Sequence, residues 1–199
     1  STRFPYRTLF RSHCWGLIPF LHTMNLDGRT EPLTIIAPGA PDGSDSKPDF
    51  NDLFGAWREM IEDEYSRGRM GYEVNWVLMP IEDELPIESP FQPLEDLHLT
   101  AIPTKHGVVS VAWMISSNKR PDRRLMVSGD TSRGVASFKS DSIGGELDVL
   151  LHEATYSSET HELAEVWGHS TAEDAAEAAA AMGAKLLGML HLSSRISDP

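Results

Sequence analysis

Cysteine is almost missing from this chain. Cys14 is the only one in 199 residues, which excludes an intrachain disulfide framework and a zinc site built from thiolates alone. No apolar run approaches the roughly 20 residues that a membrane-spanning helix requires, so no membrane partner is expected. Basic residues are scarce too: 17 Lys and Arg stand against 30 Asp and Glu, a net charge of −13. Such a surface has no global field to draw it onto nucleic-acid phosphates, and any contact of that kind needs a local basic patch. What is present suits a globular protein with a sizeable core, at 40 % hydrophobic and 24 % charged residues. The length fits one domain, or two only if both are small. Eight histidines are then the residues to follow.

The first twelve residues, STRFPYRTLFRS, carry three arginines and no acid. They have neither the apolar centre of a secretory signal nor the amphipathic helix of a transit peptide, and residues 1–12 are read as a non-native, adapter-like leader. Beyond them, Gly16 to Met24 reads as a short helix and Leu33 to Ile36 as a buried strand. Phe50 to Arg67 has near-helical spacing of apolar residues, and its aromatic stripe is more characteristic of a core than of a ligand cage. Leu97–Pro103 and Val108–Ile115 are strand-like runs joined across Thr104 to Gly107. Three further strands follow at Leu125–Val127, Val149–Leu151 and Leu186–Leu190. Between the last two lies an alanine-rich helix, Ala172 to Met182, with Gly183 suited to its C-terminal cap. Ser170 and Glu173 have the spacing of a capping box at its start. This alternation of strands and helices predicts a layered α/β domain.

Each of those three strands ends in polar residues: Ser128-Gly129-Asp130-Thr131, His152-Glu153-Ala154-Thr155 and His191-Leu192-Ser193. Ligands of α/β sheets gather outside the carboxyl ends of strands. One such end reads as an ordinary turn. Three of them, together with His106 between strands and His169 before a helix, point to a metal centre. Imidazole and carboxylate donors suit zinc, manganese or iron, and a carboxylate such as Asp130 can bridge two ions.

SGDT at Ser128–Thr131, LLHEAT at Leu150–Thr155, GHSTAEDAA at Gly168–Ala176 and LHLSSR at Leu190–Arg195 occur in that order. Together they resemble the ribonuclease Z-like branch of the metallo-β-lactamase superfamily. TKHGVVSVAWMI at Thr104–Ile115 and LTIIAPG at Leu33–Gly39 are similar to further parts of that pattern. The resemblance implies an αββα sandwich, of which residues 13–199 would be a partial domain. It implies two zinc ions in the intact site, with manganese or iron as substitutes. His106 resembles a ligand of the first zinc, Asp130 the bridging carboxylate, and His13 and His191 ligands of the second. Glu153 would orient His169, which protonates the leaving group or binds a phosphate oxygen. Ser193 and Arg195 match residues that could hold an anionic substrate. Thr8, Phe10 and Ser12 depart from the family, which has His, His and Asp of an HxHxDH motif at those places. With that part missing, by truncation or by degeneration into a pseudoenzyme, the chain as written is expected to bind metal weakly and to be inactive.

In the resembled family, maturation of transfer RNA uses a long basic arm, and here the corresponding interval is only Ser116 to Arg124. With the acidic composition, this makes tRNA an unlikely partner. A small anionic or ester substrate, a phosphodiester above all, is expected instead. Transfer-RNA 3′ processing and arylsulfatase- or lactonase-type hydrolysis are the alternatives. The stretch from Phe50 to Asn75, with Trp57, Tyr65, Tyr72 and Trp76 in or beside it, could cover the metal face as a lid. The resemblance allows a homodimer, and a cytoplasmic enzyme completes the expectation.

Overall fold

Where the sequence alternates helix and strand, the computed structural model follows it closely. It describes residues 14, 16–39, 50–62, 70–82, 85–90, 95–120 and 122–193. Residues 1–12 and His13 therefore lie outside the described residues, as do Tyr65 and Arg195. The chain divides after Pro80 into two compact units.

In the first unit, helix α1 (Leu17–Leu26) begins without a side-chain cap. Pro19 falls in its first turn, where an amide hydrogen is not needed. Strands β1 (Leu33–Gly39) and β2 (Val74–Pro80) pair in parallel, from Leu33 opposite Val74 to Gly39 opposite Pro80. A parallel pair needs a long crossover, and helix α2 (Phe50–Glu62) lies within it. Phe54 is fully buried beside Phe50 and Ala37, with Cys14, Leu17, Ile18, Ile35, Trp76 and Leu78 packed around them. Cys14 is thus a small packing residue. The ring of Phe50 meets those of Phe54 and Trp76 at 4.4 and 5.5 Å, and Trp57 stands edge-on to Trp76 at 6.0 Å. Tyr72 is buried and donates its hydroxyl to the Leu21 carbonyl at 2.9 Å. Trp57, Tyr72 and Trp76 thus have these packing partners within their own unit.

Among the described residues the second unit has six strands in chain order: β3 (Ile87–Glu88), β4 (Leu97–Pro103), β5 (Val111–Ser117), β6 (Arg124–Val127), β7 (Val149–Glu153) and β8 (Leu186–Leu190). The sheet is antiparallel as far as β6 and parallel from β6 to β8. Helices α3 (His161–Trp167) and α4 (Ala172–Ala181) lie in the β7–β8 crossover. Ala175 and Ala179 face inward from α4, where small side chains allow close approach. Ala179 joins Ile102, Met114, Met126, Leu147, Leu150 and Met182 in one core cluster. Burying a Leu or Met of this kind stabilises the fold by roughly 1.5–3 kcal/mol. Among the described residues no helix is long and apolar enough to cross a membrane.

The cap of α4 falls one residue later than the spacing suggests. Thr171 is extended, its hydroxyl accepts from the Asp174 amide at 3.2 Å, and its own amide donates to Asp174 Oδ2 at 2.8 Å. Ser170 is occupied elsewhere, donating to the Thr131 carbonyl at 2.6 Å. Ser170 and Glu173 therefore do not form the capping box; Thr171 and Asp174 do. Gly183, at φ 61°, takes the left-handed conformation that ends the helix.

The basic turn between β5 and β6 serves to tie the sheet together. Lys119 pairs with Asp96, Arg120 with Asp122 at 3.5 Å and Arg123 with Asp148 at 3.0 Å. Arg124 donates to the Ile143 carbonyl at 3.3 Å.

Candidate metal centre

The parallel half of the sheet delivers its strand ends to one place. After β6, the Ser128 amide donates to the Leu151 carbonyl at 2.9 Å, and Gly129 turns the chain with φ 61°. A Cβ there would come within 3.1 Å of the Val111 carbonyl oxygen, so any side chain would be strained at this turn. It presents Asp130, which is buried, with its carbonyl held by the Ser110 hydroxyl at 3.2 Å. After β8, the Ala154 amide donates to the Leu190 carbonyl at 2.9 Å, so the turn that follows β7 is tied directly beside His191. His169 follows α3, and its loop is held by the Tyr156 amide bonded to the Ser170 carbonyl at 3.1 Å.

Asp130, His169 and His191 converge. One ligand atom from each lies within 4.8 Å of the others, and they form the metal-capable cluster found among the described residues. The rings of His169 and His191 stack with centroids 5.5 Å apart. His106 stands beside the cluster. Its Nδ1 bonds the Gly168 carbonyl at 2.8 Å, its Nε2 lies 3.9 Å from Asp130 Oδ2, and its ring is 5.3 Å from that of His169. Burial holds the His106 imidazole below its ordinary pKa, against the opposing pull of the Gly168 carbonyl and Asp130. A neutral ring with one nitrogen fixed to a carbonyl is the form in which histidine ligates metals. The donor set, imidazole and carboxylate on partly buried walls, fits zinc or a similar divalent ion.

Glu153 is 2 % exposed and organises the rear of the site. Its Oε1 accepts from the Thr131 amide at 2.8 Å and lies 2.9 Å from His169 Nδ1. Its Oε2 accepts from the Thr155 hydroxyl at 2.6 Å and the Thr155 amide at 3.3 Å. Burial alone would raise the Glu153 pKa, but the bonds from His169, Thr155 and Thr131 outweigh it and hold the carboxyl below its ordinary value. His169 moves the other way. Burial would lower it, yet the bond and charge of Glu153 and the charge of Asp130 raise it above the ordinary imidazole value. The two shifts favour the carboxylate form of Glu153 and the protonated form of His169.

His106, Asp130, Glu153, His169 and His191 are therefore brought together. Ser193 lies half-buried two residues past His191. His152, though in the same motif, is buried beside Phe138, with Nδ1 against the Glu153 carbonyl at 2.6 Å. His98 bonds Glu88 at 2.9 Å and also meets Asn118, a local arrangement away from the strand ends. Two participants carried no assigned role in the sequence. Thr155 lies within a recognised motif, but only the fold reveals how many partners its hydroxyl meets. Gly168 reads as a helix terminator, and its carbonyl acts on a histidine 62 residues away.

The beta-lactamase superfamily domain matches residues 57–192. A ribonuclease Z of Halobacterium salinarum is 28 % identical over 92 % of this chain, and the chain spans 67 % of that protein. A ribonuclease Z of Myxococcus xanthus is 45 % identical over 76 residues, 38 % of this chain and 24 % of that protein. Among solved structures, the short form of human tRNase Z matches with a TM-score of 0.67 at 26 % identity, covering 94 % of this chain and 70 % of that one. These relatives overturn the expected partner. They are ribonucleases, one named for tRNA, so the expectation of a small anionic or ester substrate with tRNA an unlikely partner does not stand. The expectation failed because net charge sums over the whole surface, while phosphate recognition depends on the local field, to which bound cations contribute most. The length of one loop measures that field no better.

Proposed function

Since the chain belongs to the beta-lactamase superfamily and to its ribonuclease Z-like hydrolases, we propose that it carries the hydrolytic centre of an RNA endonuclease acting at the 3′ side of transfer-RNA precursors. The convergence of Asp130, His169 and His191 beside the Glu153–His169 pair carries this reading. Asp130, His106 and His191, with His13, are the residues proposed to hold zinc. Bound there, divalent zinc would acidify a water to near neutrality and screen the charge of a phosphodiester.

The remaining work falls to protein groups. His169, kept protonated by the Glu153 carboxylate, donates a proton to the departing ribose oxygen or a hydrogen bond to a phosphate oxygen. Glu153 stays ionised, accepts the bond from Nδ1 and fixes the ring. Ser193 and Arg195 are proposed to contact the RNA backbone.

The test restores the family pattern at the first motif. A Thr8→His/Phe10→His/Ser12→Asp variant loaded with zinc should cut a precursor transfer RNA at its 3′ side. Asp130→Asn in that background should abolish cutting, and the unrestored chain should bind zinc more weakly. Hydrolysis of a small chromogenic phosphodiester with the RNA left intact would refute the RNA reading. Failure on both substrates with zinc bound would refute the hydrolytic one.

A further inference from the structure

We infer that Thr155 is a positioning residue that fixes His191 in one tautomer, through a directed chain of hydrogen bonds from His191 Nδ1 to the Thr155 hydroxyl to Glu153 Oε2. The inference deepens the proposed reading of the centre and rests on it only for the purpose of that tautomer.

The direction of the chain follows from counting protons. A threonine hydroxyl has one hydrogen to give and two lone pairs to receive. Around Thr155 Oγ1 stand Glu153 Oε2 at 2.6 Å, His191 Nδ1 at 2.6 Å and His169 Nδ1 at 3.5 Å. The last is at the edge of hydrogen-bonding range and already has Glu153 Oε1 at 2.9 Å. A carboxylate only accepts, so the single hydroxyl hydrogen goes to Glu153. The oxygen then has only lone pairs left for His191, and a 2.6 Å contact between two acceptors would be repulsive. His191 Nδ1 must therefore carry its hydrogen and donate it to Thr155. Asp130 Oδ1 also faces that nitrogen, but at 3.9 Å it is beyond hydrogen-bonding range. In the neutral ring Nε2 is then the lone-pair nitrogen, the one able to ligate a cation.

A second observation agrees. His191 has φ 57°, the only positive value among the described non-glycine residues. Side chains held in the left-handed region persist where surrounding contacts over-determine them. Thr155, 8 % exposed and two residues past the end of β7, supplies such a contact.

The experiment reads the tautomer directly, with no metal and no RNA. Long-range proton–nitrogen correlation spectra of the 199-residue chain, with His191 assigned by the peaks lost in His191→Gln, should show the Nδ1–H form. Thr155→Ser should keep it. Thr155→Val, which retains the shape and removes the hydroxyl, should give a mixture of tautomers. Zinc affinity, measured by competition with a chromophoric chelator, should fall about 10–100-fold in Thr155→Val, the range typical of groups that orient a ligand, and recover in Thr155→Ser. The Nε2–H form in the parent chain would overturn the proposal whether or not the valine variant folds. An unchanged tautomer in a folded Thr155→Val would do so as well. RNA cleavage enters neither readout, so failure of the endonuclease reading would leave this result distinct.

Discussion

The Nδ1 of His106 and the carbonyl oxygen of Gly168 are 2.8 Å apart, and this bond joins the β4–β5 turn to the end of α3. Gly168 adopts φ 73°, and a Cβ at that position would lie 3.0 Å from the same Nδ1. Backbone freedom and close approach are both needed there.

Gly168→Ala should therefore strain the turn and push His106 aside. A left-handed alanine costs about 1–2 kcal/mol before any contact is counted. Urea unfolding should show at least that loss, and zinc competition a weaker site. Parental stability and affinity would show that the turn tolerates a side chain.

Glu153 and His169 predict a pH signature in the metal-free chain. The folded Glu153 pKa lies below the ordinary 4.5, so its contribution is present above 4.5 and disappears as pH falls through the depressed value. The folded His169 pKa lies above the ordinary 6.5, so its contribution is complete below 6.5 and disappears as pH rises through the elevated value. The stability gap between the parent and Glu153→Gln should thus be widest between about pH 4.5 and 6.5. It should reach about 3–5 kcal/mol, as when a buried pair loses one partner. Buried His106 and His152 are both held below 6.5 and oppose acid in either protein; the Glu153 charge partly offsets this for each, so its loss adds to the gap on the acid side. Equal gaps at every pH would argue against an ion pair.

The cap of α4 gives a test of register. Thr171→Ala should cost about 1 kcal/mol, within the roughly 0.5–2 kcal/mol range of a lost N-cap, whereas Glu173→Ala should change stability by less than about 0.5 kcal/mol. Thermal melts of the two variants compare them directly. The reverse order would return the cap to Ser170.

Strand β8 ends the sheet among the described residues and exposes Leu186, Met189 and Leu190, followed by Leu192. An apolar edge invites pairing between molecules. Leu186→Lys should reduce light scattering on concentration and leave the melting temperature within a few degrees. Undiminished association would place the sticky surface elsewhere.

Much of this was legible in the sequence because strand ends announce themselves. Leu97–Pro103 and Leu186–Leu190 are strands with the expected bounds. The motifs after β6, β7 and β8 marked Asp130, Glu153 and His191 as neighbours before any coordinates. Strand β2 was harder to see. Among the described residues Val74–Pro80 is paired only with β1, and its Trp76 blends into the aromatic pattern of the helix before it. The register of the α4 cap was ambiguous, since adjacent Ser170 and Thr171 each have an acid three residues on. Tertiary demand decided it, because Ser170 is needed at the Thr131 carbonyl. The bonds of Thr155 and Gly168 span gaps of 36 and 62 residues, beyond the reach of local periodicity.

The left-handed backbone at His191 sets folding and chemistry at odds. Glycine would relax that residue, and asparagine would adopt the conformation more readily than an imidazole-bearing one. Selection for thermal robustness alone would therefore drift position 191 towards either. The zinc-holding role proposed for His191 would be the opposing demand, and engineering aimed only at hardier variants would remove that proposed ligand while seeming to improve the protein.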